Sequence, residues 1–120
     1  MNREDVINYI EATFDVTGEC LWQSFPNYII FRNKRNKKWF AGIMDVEKSK
    51  LGIEGEGKLD ILDLKCDPLM IGSLLMNEGY LPAYHMQKSS WIAAVLDDNA
   101  CNEEIKDLIN LSYEIIDLKK

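Results

Sequence analysis

The sequence predicts an α+β domain of two layers, an antiparallel sheet with helices packed against it, in the order α-β-β-β-α-β-β-α. Three observations carry that expectation. Apolar residues recur at helical spacing near both ends of the chain and once in the middle. Between these stretches lie short runs rich in β-branched and aromatic residues. The connections between successive runs are of hairpin length, which argues for antiparallel pairing.

The first helix begins at Asn2, a residue suited to capping, with Glu4 and Asp5 in the first turn where the helix dipole favours negative charge. Val6, Tyr9, Ile10 and Phe14 follow at helical spacing, and Thr17 and Gly18 lie beyond its end. A connecting stretch with Trp22, Phe25 and Pro26 leads into the run YIIFR, and KWFAGIMDV follows it. The intervening NKRNK has the asparagines and charge of a hairpin turn. From Glu47 to Lys58 the polar, glycine-containing segment EKSKLGIEGEGK predicts a long loop or a second hairpin tip. LDILDLKC then supplies a third strand. Asp67 is placed to cap a second helix, Pro68 suits its first position, and the apolar stretch Leu69 to Glu78 ends at Gly79. AYHM and WIAAVL predict two short strands across the turn QKSS. The last helix runs from about Asn102 to Leu118, with Ile105, Leu108, Ile109, Ile115 and Ile116 on its apolar arc.

At 120 residues the chain has the length of one domain, residues 1–120, large enough to bury a conventional core. No apolar run is long enough to cross a bilayer and the N-terminal stretch lacks a signal-like pattern, so the expected location is the cytoplasm. Cys20, Cys66 and Cys101 are odd in number and widely spaced, and one histidine accompanies them. Free thiols in or near the core are expected, with neither a disulfide framework nor a metal site, and no cofactor.

The formal charge of −6 opposes indiscriminate binding of nucleic acid. The charge is segregated, however. Arg32 to Lys38 holds five of the fourteen basic residues and no acidic one, leaving nine basic residues against twenty acidic ones elsewhere. The segment GIEGEG lacks the ending and the strand-to-helix context of a phosphate-binding loop. His85 with Ser89 or Ser90 and Asp97 has the residue types of a nucleophilic triad, but no nucleophile elbow or oxyanion loop accompanies them. Trp22, Trp39 and Trp91 suit core packing, or a surface on which bases or another planar ligand would stack beside basic side chains.

The segments KWFAGI, LDLKCDP, LPAYHMQKSSWIAAVLD and DLINLSYEIIDLKK, in this order and spacing, resemble the MmcQ/YjbR family. The resemblance spans Trp22 to the C-terminus. It implies a small bacterial protein with an antiparallel sheet and helices, similar in topology to secretion-chaperone-like folds. It further implies a double-wing DNA-binding arrangement, in which hairpin loops lie against the duplex. Carried onto this chain, one wing is the Asn33 to Lys38 turn, and the other is either the Glu47 to Lys58 loop or the Gln87 to Ser90 turn. The Glu47 to Lys58 loop departs from a basic wing, because Glu47, Glu54 and Glu56 oppose Lys48, Lys50 and Lys58.

The leading expectation is therefore a non-enzymatic protein that contacts DNA through Arg32, Lys34, Arg35, Lys37 and Lys38, with His85 and Lys88 as second contacts. An alternative is a module that binds a protein or peptide partner, or a second copy of itself. A third is a small-molecule binder or enzyme with a pocket around Trp22, Tyr84, His85 and Trp91. No membrane or metal partner is expected.

Overall fold

A computed structural model describes residues 1–120. Its elements are α1 (Arg3–Phe14), β1 (Ile29–Arg32), β2 (Trp39–Glu47), a 3-10 turn (Lys48–Leu51), β3 (Lys58–Lys65), α2 (Pro68–Leu75), β4 (Tyr80–Pro82), β5 (Trp91–Val95) and α3 (Asn102–Asp117). The five strands form one antiparallel sheet in the order β1-β2-β3-β5-β4. This is the predicted α+β class and element order.

Local chemistry explains most boundaries. The Asn2 side chain accepts the Asp5 N–H at 2.9 Å while the Asp5 carboxylate accepts the Asn2 N–H at 3.1 Å, a reciprocal cap on α1. Asp67 accepts the Leu69 N–H at 2.9 Å and Pro68 opens α2. The Glu47 to Lys58 segment is a hairpin tip, in which Gly52, Gly55 and Gly57 all take positive φ.

Alternation along the strands gives the sheet two buried faces. On one, Phe31, Ile43, Leu62, Leu64 and Ile92 pack against Val6 and Ile10 of α1, Ile71 of α2, and Ile105, Leu108, Ile109 and Ile116 of α3. On the other, Ile30, Met44, Val46, Ile61 and Ala93 form a smaller core with Tyr28. No helix covers this second face. Its cover is the side chains of Trp22, Leu51, Leu81, Tyr84 and Met86, four of them from connecting segments or their edges.

A β-bulge decides which residues reach which face. Phe31 pairs with Ala41 but Arg32 pairs with Trp39, so Phe40 is an extra residue in β2. Phe40 and Ala41 both join the helix-side core, and Trp39 goes to the open face. The Phe40 carbonyl accepts the Ser112 hydroxyl proton at 2.5 Å, and the same oxygen of Ser112 accepts the Lys65 N–H at 2.9 Å. Ser112 is fully buried and ties α3 to two strands.

The structure corrects four local expectations. AYHM is not a strand. The fourth strand lies earlier, at Tyr80–Pro82, and the chain leaves the sheet from Ala83 to Ser90. Pro82 ends the pairing, the Tyr84 N–H turns to the Asp63 carboxylate at 3.1 Å, and His85 takes a left-handed φ of 60°. Helix α2 stops at Leu75, short of Glu78. Its last carbonyls accept tight-turn bonds from Met76 and Asn77, and Ile71 is its only buried residue, so little packing supports a further turn. Ile115 is half-buried, and the arc of α3 runs through Ser112 instead. Of the three free thiols only Cys66 is buried; Cys20 and Cys101 are exposed.

Candidate functional site

The helix-free sheet face carries a cleft of about 360 Å³. Three segments build it. Two consecutive turns, in which Phe25 N–H bonds to the Trp22 carbonyl at 3.2 Å and Tyr28 N–H to the Phe25 carbonyl at 3.1 Å, bring Trp22, Phe25 and Tyr28 together as one wall. The bulge delivers Trp39, with Met44 further along β2 as the floor. The Ala83 to Ser90 loop supplies His85 and Met86.

The rings meet at steep angles. Trp22 lies 5.9 Å from both Tyr28 and Trp39, at 80° and 83° respectively. Phe25 stacks on Tyr28 at 4.6 Å. His85 sits against Tyr84, with centroids 4.1 Å apart, and faces Tyr28 across 6.5 Å. The perpendicular contacts of Trp22 with Tyr28 and Trp39 fix these three rings edge to face.

Beneath the His85 loop lies Asp63, with no exposed surface. It shares the parity of Ile61 on β3, which places it on the open face, and its strand neighbours there are the small residues Gly42 and Ala93. One carboxylate oxygen accepts the Tyr84 N–H and the other has no partner. Burial pushes the Asp63 carboxyl up to about 7, against the opposing pull of the Tyr84 N–H and the Lys88 charge. A methyl group placed on Gly42 would stand 3.7 Å from the Met86 Cε, so this thioether lies directly over the strand beside Asp63. Burial, reinforced by Tyr84, Asp45 and Asp63, also raises the Tyr28 hydroxyl above its usual range. No lysine or arginine lines the cleft. Arg32 lies 5.8 Å from the centre of the Trp39 ring, with its charge held by Glu19 at 2.9 Å.

The basic turn is elsewhere and is engaged within the chain. Arg32 pairs with Glu19, Lys34 with Asp15, and Arg35 with Asp117. The Arg35 guanidinium also donates to the Asp117 and Lys119 carbonyls, and the Asn36 amide to those of Ile116 and Lys119. Fully buried Asn33 donates to Asp117 and accepts the Arg35 and Asn36 N–H groups. The turn thus caps the C-terminus of α3, where cations and side-chain donors suit unpaired carbonyls. Lys37 and Lys38 are exposed and form no ion pair within 4.0 Å.

Of the residues expected to share a pocket, Trp22 and His85 line the cleft, and Tyr84 stands behind His85. Trp91 lies outside it, its ring 5.7 Å from the Lys65 ammonium. Lys88 is exposed on the same loop as His85. His85 makes no hydrogen bond with Ser89, Ser90 or Asp97; the Ser90 hydroxyl is buried without a partner, and Asp97 accepts from the Asn99 N–H. Sequence reasoning missed Tyr28, Met44, Met86 and Asp63. The available signal for Asp63 was a carboxylate midway along an otherwise apolar strand, where an ion is costly without a partner. No three histidine, cysteine, aspartate or glutamate side chains converge as metal ligands, and no helix is long and apolar enough to cross a membrane.

Comparison with known proteins gives concordant results. The sequence model of the YjbR family matches residues 12–115. The chain is 38% identical over 115 residues to the uncharacterized protein YyaQ of Bacillus subtilis (strain 168), covering 96% of this chain and 98% of that one. A crystal structure of a Pseudomonas syringae protein superposes with a TM-score of 0.93 at 39% identity, covering 97% of this chain and 99% of that chain. A Deinococcus radiodurans protein shares the fold, with a TM-score of 0.69 at 18% identity over 94% of this chain and 79% of that chain.

Proposed function

Since the chain belongs to the YjbR family, its function has to reside in a surface that this fold builds, and we propose that it is a binding protein whose small-molecule ligand occupies the aromatic cleft on the helix-free sheet face. The observation that carries this reading is the convergence of three segments, the stretch bearing Trp22 and Tyr28, β2 with Trp39, and the loop with His85 and Met86, around an open, mostly apolar cleft. Concave sites of this size, apolar with a few polar groups, are the usual form of a small-ligand site. The lining offers rings and thioethers, which bind, and one imidazole without a hydrogen-bonded partner, which favours recognition over a reaction cycle.

The test is an NMR titration with four small probes of different charge: indole, indole-3-acetate, choline and 3,3-dimethylbutan-1-ol. Saturable shifts at the Trp22 and Trp39 indole N–H groups and the Met44 and Met86 methyls are expected for at least one. If none of the four moves these signals at 10 mM, on the order of the weakest useful affinity, the reading fails.

A second reading places DNA against the basic turn. Charge segregation supports it, as does the exposure of Lys37 and Lys38. Arg32, Lys34 and Arg35 would have to leave Glu19, Asp15 and Asp117 to join such a contact. Two free lysines predict a log-log salt slope of about −2 for duplex binding, whereas all five basic residues predict about −4.5. An anisotropy titration at two salt concentrations separates these cases, and absence of binding at low salt overturns the reading.

A further inference from the structure

We infer that the ligand of the cleft is a small soluble molecule bearing a fully alkylated ammonium group, an inference that rests on the cleft being the binding site. Three features of the cleft lead to this class.

The first is the shape of the aromatic surface. Parallel rings form a slot for a flat ligand; here Phe25 and Tyr28 lie parallel at 14°, but Trp22 stands at 80° to Tyr28 and 83° to Trp39 and turns a corner in the aromatic surface. Such a corner suits a roughly spherical cation, and tryptophan is the strongest of the ring types at this task. A cation already lies over Trp39, the Arg32 guanidinium at 5.8 Å from the ring centre.

The second is charge. No lysine or arginine lines the cleft, and the whole chain carries −6. An anionic ligand is repelled by this field and a neutral one gains nothing from it.

The third is what the nearby carboxylate does not offer. Asp63 has one unpartnered oxygen, yet it is fully buried under the Tyr84 to Met86 segment. A primary ammonium needs acceptors within hydrogen-bond reach, and here the acceptor is screened from the cleft. A trimethylammonium group donates no hydrogen bond and needs only the rings and the field.

The experiment compares tetramethylammonium and choline with 3,3-dimethylbutan-1-ol, the uncharged carbon isostere of choline, by NMR titration of the intact chain. Indole is included as a neutral planar control. Both ammonium probes are expected to shift the Trp22, Trp39, Met44 and Met86 signals, with choline bound about tenfold or more tightly than its isostere. Trp22→Ala is expected to abolish that preference. Because its ring is half-buried on a connecting segment, retained dispersion of the β-sheet amides shows that the variant is folded; Trp22→Phe, which keeps a ring, is expected to restore part of the binding. Equal or tighter binding of the isostere or of indole overturns the inference and leaves the cleft as a binding site. No response to any of these probes overturns the inference, and with no response to indole-3-acetate as well the cleft reading falls with it.

Discussion

The ring of Trp22 stands at 83° to that of Trp39, 5.9 Å away, although one lies on a connecting loop and the other opens β2. The pair fastens the loop to the sheet and forms a corner of the cleft. Trp22→Ala is expected to lower stability by about 2 kcal/mol, the sum of lost apolar burial and one edge-to-face contact. Urea denaturation followed by far-UV circular dichroism measures it. A loss near zero would mean that the loop does not depend on this ring.

Asp63 makes stability depend on pH in an unusual direction. Its carboxyl ordinarily titrates at 3.8 and in the fold at about 7. Between these values the folded state holds a proton that the unfolded chain has released, so stability falls as pH rises from about 4 to about 7 and stays reduced above. Asp63→Asn retains an acceptor for the Tyr84 N–H without the charge. Its melting temperature is expected to exceed that of the parent at pH 8 by on the order of 5 °C, with a much smaller difference at pH 5. Equal differences at the two pH values would contradict the assignment of this titration to Asp63.

The basic turn is expected to be felt in stability before it is felt in binding. Asn36→Ala removes two bonds to the last carbonyls of α3 and one to the Lys38 N–H, and is expected to cost about 1–2 kcal/mol. Arg35→Ala is expected to cost less, because that side chain is 57% exposed and its ion pair is solvent-screened. Thermal denaturation of the two variants gives the order directly. The reverse order would show that charge, not amide capping, holds the turn to the helix.

Ser112 is a small residue with a large expected effect. Its hydroxyl satisfies the Phe40 carbonyl at the bulge and the Lys65 N–H together. Ser112→Ala leaves the buried Phe40 carbonyl and the part-buried Lys65 N–H unpaired and is expected to cost about 2–3 kcal/mol. Amide exchange at Lys65 should accelerate in the same variant, and unchanged protection there would count against the bridge.

The fold was legible because its signals are local. Asn2 and Asp67 cap where capping residues should, Pro68 opens α2, and the β-branched runs became strands. The fourth strand was misplaced because AYHM has strand-like composition, while the backbone there is decided by a distant partner, Asp63. The site was legible only in part. Trp22 and His85 stand out as residue types, but their convergence with Tyr28 and Trp39 depends on the extra residue Phe40, which resets the alternation of β2 and has no sequence signature. The run Arg32 to Lys38 reads as a cationic surface in sequence, because charge is local information. Asp15, Glu19 and Asp117, which hold it, are distant in the chain or beyond an irregular loop.

The measurement closest to the central claim is a choline titration of protein carrying methyl-labelled methionine. Met44 lies on the cleft floor and Met86 on its wall, while Met70 and Met76 on and just beyond α2 serve as internal controls. The account predicts saturable shifts at Met44 and Met86, none at Met70 and Met76, and loss of the response in Trp22→Ala. Silence at Met44 and Met86 under saturating conditions, with duplex DNA instead shifting the amides of Lys37 and Lys38, would contradict it and move the function to the basic turn.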